Sequence, residues 1–306
     1  EAAPALAAIE QDGDAVHVLL GPGGAARRLS AAYLLVCDGA DSAARRLLGV
    51  AVEESRYGER ALLAEAPLSF GPGGAAGALG SGADDEILAF FSVQGPLTVT
   101  PLLGPGRVRI LAPVAPELPP TPAALQALFS ARATLGGGGP VAQLGAPTRL
   151  RTYPMRRLLA ARYRVGRAFL AGEAAHVQSP LSAQGLNLGL QDVVNLSWKL
   201  ALVVLGLGRP ALLDSYEEER RTVAEETVAT SDEIGRVFSA FLRLGAEGPE
   251  AARARQEIAA LLSSEDALRE KVGHSLGLAE VHYRGSPIVA EGQGWAFGAA
   301  APAPGS

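Results

Sequence analysis

The sequence predicts an α/β fold in which an α/β body carries an inserted mixed β-sheet and is followed by C-terminal helices. Two short apolar runs, residues 33–37 and 168–171, each lead towards a helical stretch, which is typical of strands buried in a parallel sheet. Residues 57–118 are instead rich in Gly and Pro and contain strand-like runs. These runs are 87–93, 97–102 and 108–112. A separate sheet is therefore expected within residues 57–155.

Composition limits the class of protein. The 306 residues are 48% hydrophobic and 19% charged, which is ordinary for a globular chain with a substantial core. The net charge is −5 and no block of basic residues occurs, which argues against a nucleic-acid partner. Cys37 is the single cysteine, so no intrachain disulfide can form, and this favours a cytoplasmic protein. The apolar run from Leu200 to Leu207 is too short to cross a bilayer, which needs about 20 residues.

Local patterns predict the first elements of the chain. Short strands are expected within residues 5–30, with a turn at Asp12-Gly13. Thr121 and Pro122 are residue types typical of an N-cap and of a first helical position. They predict a helix that runs to about Ala133.

Apolar residues at spacings of three and four predict two long helices later in the chain. The residues concerned are Leu186, Leu190, Val193, Val194 and Trp198 in the first helix, and Leu213, Tyr216, Val223, Val228 and Ile234 in the second. A further helix is expected at 250–273, and the tail after about Gly292 is expected to be flexible.

One predicted strand ends in an acid. A buried strand is followed by Asp38 and Gly39, and a helix then begins with Ser42 as its N-cap. A carboxylate at the carboxyl end of a parallel strand lies where open α/β sheets bind ligands. Taken alone, however, this segment is better explained as a turn followed by a helix cap.

A second segment repeats the arrangement and indicates an anion site. Gly172–His176 follow the strand at 168–171, and Gln184–Asn187 then enter the first long helix. Glycines let a backbone approach a ligand closely. The first amides of a helix lack an intrahelical acceptor and lie at the positive end of its dipole, so they stabilise negative charge. A reduced flavin carries its negative charge on the pyrimidine side of the ring and would suit this position.

Together the two segments resemble the para-hydroxybenzoate hydroxylase family of flavin monooxygenases, especially its polyketide and phenol hydroxylase branch. The matching positions are Asp38, Gly39, Ser42 and Arg45 in the first motif, and Gly172, Ala174, Ala175, His176, Pro180, Gln184, Gly185 and Asn187 in the second. The resemblance implies that the first motif contacts both FAD and the nicotinamide donor. It also implies that Glu173 binds the ribitol–ribose region of FAD. The amides of Gly185, Leu186 and Asn187 would face the flavin ring.

The resemblance also implies an architecture and an activity. Residues 1–56 and 156–220 would form a partial FAD-binding Rossmann-like domain, and residues 57–155 the substrate-binding sheet domain. Residues 221–306 would form C-terminal helices and the tail. The implied enzyme is an FAD-dependent monooxygenase that uses NADPH or NADH and O₂ to hydroxylate a small aromatic or polyketide substrate. Because the cofactor performs this chemistry, no catalytic side chain and no metal ligand is predicted.

The chain departs from the family pattern in several ways. Glu173 replaces an Asp, Ser179 replaces the first Pro and Ala183 replaces a Gly. The family's opening unit, whose G-x-G-x-x-G holds the FAD pyrophosphate, is expected before the first residue of this sequence. The Gly-rich stretches 21–26 and 71–77 lack the flanking strand and helix of such a unit, so we interpret them as turns or loops.

Two alternatives to this function stay open at the level of sequence. In the first alternative, the 306 residues form an incomplete, non-catalytic flavoprotein remnant that cannot bind FAD by itself. A halogenase or a ring-reducing relative is the other flavoprotein alternative, although the Trp-rich motif usual in halogenases is not visible in this sequence.

Single residues outside the two motifs add little chemistry. His176 is interpreted as a packing or helix-entry residue, because the sequence supplies no partner for an acid–base role. Cys37 is expected to be an inert thiol in a buried strand. Trp198 and Tyr216 are expected in the core because they follow helical spacing. The other histidines are too widely separated in sequence to predict a metal site.

Overall fold

The computed structural model of the chain consists of two units. The first comprises Glu1–Ser55, Arg156–Ser231 and Gly273–Ser306, and the second comprises Arg56–Met155 and Asp232–Val272. The structure describes residues 5–21, 27–69, 87–92, 94–104, 106–134, 142–179 and 184–242, together with 253, 256, 281, 283 and 286–288. Apart from 253 and 256, the helix predicted at 250–273 lies outside these described residues, as does the predicted flexible tail.

The described elements form a mixed α/β chain, as predicted. In chain order the strands are β1 Leu6–Gln11, β2 Val16–Leu20, β3 Arg27–Ala31, β4 Leu34–Val36, β5 Val52–Ser69, β6 Leu88–Ser92, β7 Gly95–Pro101, β8 Arg107–Val114, β9 Gln143–Leu144, β10 Arg149–Ala160, β11 Arg164–Val165, β12 Ala168–Leu170 and β13 His176–Val177. The α-helices are α1 Ala43–Leu47, α2 Pro122–Arg132, α3 Gly185–Val204 and α4 Ser215–Leu242. Short 3-10 turns cover Gly172–Ala174 and Pro210–Asp214. Among the described helices, none is both long enough and apolar enough to span a bilayer.

The first unit begins with an antiparallel meander. Strands β1, β2 and β3 pair in that order, as predicted for residues 5–30. Asp12 closes the turn between β1 and β2, because its Oδ1 accepts hydrogen bonds from the amides of Asp14 at 2.9 Å and Ala15 at 2.7 Å. The side chain thereby satisfies backbone donors within the turn.

Strand β4 is less buried than the sequence predicts. It lies at the edge of a three-stranded sheet in the order β11-β12-β4 and runs parallel to β12. Val36 is buried, but Leu35 is 41% exposed, and Cys37 lies beyond the strand and is exposed. The prediction of a strand buried on both faces, with Cys37 as a core thiol, is wrong. Within the described part of the chain β12 is the one strand paired with β4, so β4 is an edge strand, and its face at Leu35 is partly open to solvent.

An antiparallel sheet forms most of the second unit. Its strands follow the order β10-β5-β8-β7-β6, and β6, β7 and β8 correspond to the three predicted runs. The 18-residue strand β5 was not predicted. Its first half, VEESRYGER, is rich in charged residues and lacks the alternation typical of a half-buried strand.

Helix α2 packs against this sheet and begins as predicted. Thr121 Oγ1 accepts a hydrogen bond from Ala124 N at 3.2 Å, and Pro122 is the first helical residue. Leu125 and Phe129 then enter the core formed by strands β5 to β8.

Helix α3 forms as predicted but buries a different face. Its apolar stripe is exposed and consists of Leu186, Leu190, Val193, Val194 and Trp198. The opposite face is buried and consists of Leu188, Asp192, Asn195, Leu196 and Lys199. Trp198 is 45% exposed, so its assignment to the core is wrong, whereas Tyr216 of α4 is buried as predicted.

Replacing Leu125 with Ala should destabilise the second unit. Leu125 is 1% exposed, and truncation of a buried Leu to Ala costs about 2–5 kcal/mol of unfolding free energy. Leu103→Ala is the matched control, because Leu103 is 99% exposed and such a change should cost less than about 0.5 kcal/mol. Urea unfolding followed by circular dichroism measures both values. Equal losses in the two variants would contradict the described core.

Candidate functional site

The two sequence motifs leave the sheet side by side. Strands β4 and β12 are parallel neighbours with Val36 opposite Leu170, and Ala171 N donates to Val36 O at 3.0 Å. Asp38 and Gly172 therefore follow adjacent strands, which in a sheet lie roughly 4.8 Å apart. The carboxyl edge of an open parallel sheet is where such folds bind ligands. The structure thus brings the two predicted site segments together.

The first motif is a turn with two capping side chains. Gly39 has a φ of 84°, a left-handed conformation that favours glycine. Ser42 Oγ accepts from Arg45 N at 2.9 Å, which confirms the predicted N-cap. Asp38 Oδ2 accepts from Ala44 N at 3.0 Å. Because Asp38 is exposed, its carboxylate can also accept a hydrogen bond from a ligand.

Arg45 ties the first motif to the second. Its side chain is buried, and its Nη1 donates to Ala174 O at 2.7 Å while Nη2 donates to Ala40 O at 2.9 Å. Burial lowers the pKa of Arg45, and the nearby Asp38 carboxylate opposes that shift. Ala174 lies 129 positions along the chain from Arg45, so this guanidinium joins two segments that are distant in sequence.

The second motif is a turn that contacts α3. Gly172 has a φ of 60° and opens the 3-10 turn Gly172–Ala174. A Cβ added to Gly189 of α3 would lie 3.1 Å from Gly172 Cα, so a side chain there would make the turn give way by a few tenths of an ångström. Glu173 is exposed, and within the described part of the chain its carboxylate has no hydrogen-bond or ion-pair partner. It is therefore available to accept hydrogen bonds from the hydroxyl groups of a ligand.

His176 has a partner that sequence reasoning missed. Its Nε2 lies 2.7 Å from Oδ2 of Asp192, which is 16 positions away on α3. The prediction that His176 has no partner is therefore wrong. His176 Nδ1 is also buried and has no partner among the described residues. Both ring nitrogens are shielded from solvent, which suits a packing role.

The N-terminus of α3 has amides that no backbone carbonyl of the helix accepts. Gln184 precedes the helix and makes no capping hydrogen bond with its side chain. The first intrahelical bond runs from Leu188 N to Gln184 O at 3.0 Å, so the amides of Gly185, Leu186 and Asn187 precede it. Leu186 and Asn187 are exposed, and a Cβ on Gly185 would meet no atom of the described residues within 4 Å. A flat ligand can therefore approach this backbone closely.

These residues fit the flavin end of FAD. The α3 amides provide the positive helix end at which a negatively charged ring edge is stabilised. Glu173 and Asp38 provide exposed acceptors for hydroxyl groups, and no atom of the described residues would lie within 4 Å of a Cβ on Gly39 or Gly185. The 306 residues contain no G-x-G-x-x-G, the motif that holds the pyrophosphate. Of the predicted site residues, Pro180 lies outside the described part of the chain.

Replacing Arg45 with Met should destabilise the first unit by about 1.5–3 kcal/mol, because the carbonyls of Ala174 and Ala40 would lose a charged donor. Arg46→Met is the matched control. Arg46 is exposed and donates to the carbonyl of Asp41, so its loss should cost less than about 0.5 kcal/mol. Chemical unfolding of both variants checks the prediction. If the Arg45→Met and Arg46→Met variants were equally stable, the hydrogen bonds of Arg45 would not be what holds the two motifs together.

Two characterised bacterial proteins are similar in sequence to this chain. The chain is 35% identical over 231 residues to the rifampicin monooxygenase of Streptomyces venezuelae, a match that covers 73% of this chain and 44% of that protein. It is 32% identical over 244 residues to the dialkyldecalin synthase of Streptomyces rugosporus, covering 78% of this chain and 49% of that protein. The chain therefore spans about half the length of the curated relatives it matches.

Comparisons with a solved structure and with a family model support the interpretation of the two motifs. The solved structure of the OxyS anhydrotetracycline hydroxylase from Streptomyces rimosus matches with a TM-score of 0.66 and 27% identity, over 94% of this chain and 53% of that chain. A family model described as an FAD binding domain matches residues 2–231, a range that includes both strand-end motifs and α3. The chain belongs to the FAD-binding domain family, which is the flavoprotein assignment that its two motifs predict.

Proposed function

We propose that the protein is an FAD-dependent monooxygenase that hydroxylates a small aromatic or polyketide substrate with NAD(P)H and O₂. The observation that carries the proposal is that α3 begins with amides that have no acceptor within the helix, while two adjacent strand ends lead into exposed acids, Asp38 and Glu173. Two of the similar proteins are named a rifampicin monooxygenase and an anhydrotetracycline hydroxylase, which supports oxygen transfer to a polycyclic molecule.

The residues of this chain bind and orient the cofactor. Glu173 would accept a hydrogen bond from a ribitol or ribose hydroxyl, and Asp38 would be a second acceptor on the neighbouring strand end. The first amides of α3 would stabilise negative charge on the flavin ring. When bound, FAD supplies the redox chemistry, and the protein supplies position and shielding from water. Pro180 stays a prediction from the family pattern.

We assign the substrate-binding role to the sheet domain, residues 57–155, and the reaction to the cytoplasm. The first assignment rests on the family resemblance, in which a sheet inserted between the two flavin motifs faces the substrate. The second rests on the presence of a single cysteine in 306 residues.

A second candidate function is a flavoprotein remnant that does not bind FAD by itself. The absence of a G-x-G-x-x-G motif from the 306 residues favours it, because FAD carries two phosphate charges that backbone amides normally meet. Colour separates the two candidates. A purified chain that is yellow holds flavin, and one that stays colourless after addition of FAD does not.

Glu173→Ala should weaken FAD binding by about 1.5–3 kcal/mol in the full-length protein, because a charged hydrogen-bond acceptor is lost. Glu173→Asp should bind nearly as well as the wild type, since Asp is the residue of the family pattern. Glu218→Ala is the control, because Glu218 is an exposed acid on α4 outside the motifs. Quenching of FAD fluorescence measures the dissociation constants. Equal FAD affinity for the wild type and Glu173→Ala would show that Glu173 has no role in binding.

A form extended upstream through a G-x-G-x-x-G unit should retain FAD, whereas residues 1–306 alone should not. The extension supplies the amides that hold the pyrophosphate. Flavin absorbance after gel filtration measures retention in the two forms. The extended form should also oxidise NADPH in the presence of a phenolic compound and release a hydroxylated product, which mass spectrometry detects. Stoichiometric FAD binding by residues 1–306 would contradict the prediction, and flavin-loaded protein that forms no hydroxylated product would contradict the monooxygenase proposal.

A further inference from the structure

A single buried carboxylate holds the second motif in place. Asp192 lies on the buried face of α3 and has no exposed surface. Its Oδ2 accepts hydrogen bonds from Gly172 N at 2.9 Å and from His176 Nε2 at 2.7 Å, and its Oδ1 accepts from Arg220 Nε at 2.8 Å. These donors belong to the 3-10 turn, to β13 and to α4. The Asp192 side chain on α3 is therefore hydrogen-bonded to three other segments of the chain.

The bond to Gly172 acts next to the residue expected at FAD. Gly172 immediately precedes Glu173, the exposed acid that has no partner among the described residues. The Gly172 turn contacts α3 at a second point, where a Cβ on Gly189 would come within 3.1 Å of Gly172 Cα. Because α3 itself begins with the amides of Gly185–Asn187, one helix sets the position of both the acid and the flavin-ring amides.

Arg220 compensates the charge of Asp192. It has no exposed surface, and its remaining hydrogen bonds run to Leu188 O at 3.2 Å and to Tyr283 Oη at 3.0 Å. Burial by itself lowers the pKa of Arg220, but Asp192 and Tyr283 together outweigh burial, so the pKa is raised overall. A buried carboxylate without such a partner is strongly destabilising. Arg220 thus gives the buried side chain of Asp192 a hydrogen-bonded partner of opposite charge.

We propose that Asp192 is a positioning residue for FAD. It acts through Gly172, because its carboxylate fixes the turn that carries Glu173 at a set distance from the N-terminus of α3. The proposal rests on the proposed contacts of Glu173 and of the α3 amides with FAD. If the carboxylate is lost, the turn loses this hydrogen bond to α3, and the two groups proposed to bind FAD lose their mutual position.

The test is FAD affinity in the full-length protein. Asp192→Asn keeps the shape of the side chain, but its amide nitrogen cannot accept from Gly172 N while its oxygen accepts from Arg220 Nε. The dissociation constant for FAD should rise about tenfold to a hundredfold, the effect of a buried donor left without an acceptor. The absorption and visible circular dichroism of the bound flavin should also change, since the ring and the turn no longer share a fixed geometry.

Glu219→Gln is the matched control. Glu219 is a second buried acid between α3 and α4, and its Oε2 accepts from Lys199 Nζ and from Asn195 Nδ2 at 2.6 Å each. The variant removes a buried negative charge, as Asp192→Asn does, but leaves the Gly172 bond intact. It should lower the melting temperature by a similar amount while FAD affinity and the flavin spectra stay as in the wild type.

Two results would overturn the proposal. One is wild-type FAD affinity in Asp192→Asn, and the other is equal weakening of FAD binding by Asp192→Asn and Glu219→Gln. If Asp192→Asn does not fold, Gly189→Ala decides, because its methyl group displaces the Gly172 turn without removing a charge. Unchanged FAD affinity in that variant would also overturn the proposal. Failure of this proposal can be told apart from failure of the proposed function, because this test measures FAD affinity whereas the test of the monooxygenase activity measures turnover.

Discussion

The parallel pairing of β4 with β12 is the constraint on which the candidate site depends. It places two strand ends beside each other, and the bond from Arg45 to Ala174 O, which spans 129 positions, then secures them. The chain leaves the first unit within β5 and returns within β10, so the second unit is inserted without interrupting this pairing. Two loops that carry ordinary turn residues become one site only because the sheet forms between their strands.

Buried ion pairs join α3 to α4 on the inward face of α3. Asp192 pairs with Arg220 at 2.8 Å, and Lys199 pairs with Glu219 at 2.6 Å. Taking such charges out of water costs more than their attraction returns unless the geometry is good, and removal of one partner costs about 3–5 kcal/mol. The helix therefore buries its charged face against partners of opposite sign. Its apolar stripe, which includes Leu186 and Trp198, is exposed in the described structure.

The site works through backbone geometry more than through reactive side chains. It is formed by helix amides, by glycines that allow close approach, and by two exposed acids. This composition suits a cofactor that supplies the chemistry, because the protein then needs only to hold the ring and its sugar hydroxyls in register. Small displacements of the Gly172 turn relative to α3 would separate the acid from the amides. In our proposal, the buried carboxylate of Asp192 and the exposed one of Glu173 serve the same binding event.

The sequence by itself determined the local elements: the strand followed by Asp38-Gly39, the Ser42 cap, the start of α2 and the helical state of α3. Each depends on residues a few positions apart, whose capping and periodicity are visible in one dimension. Only the tertiary structure decided the edge position of β4, the buried face of α3 and the partners of Arg45 and His176. Periodicity shows which residues share a face of a helix or strand. It does not show whether that face is buried, because the segment that covers it comes from elsewhere in the chain. Hydrogen bonds across 16 to 129 positions exist only after the sheet and helices have packed.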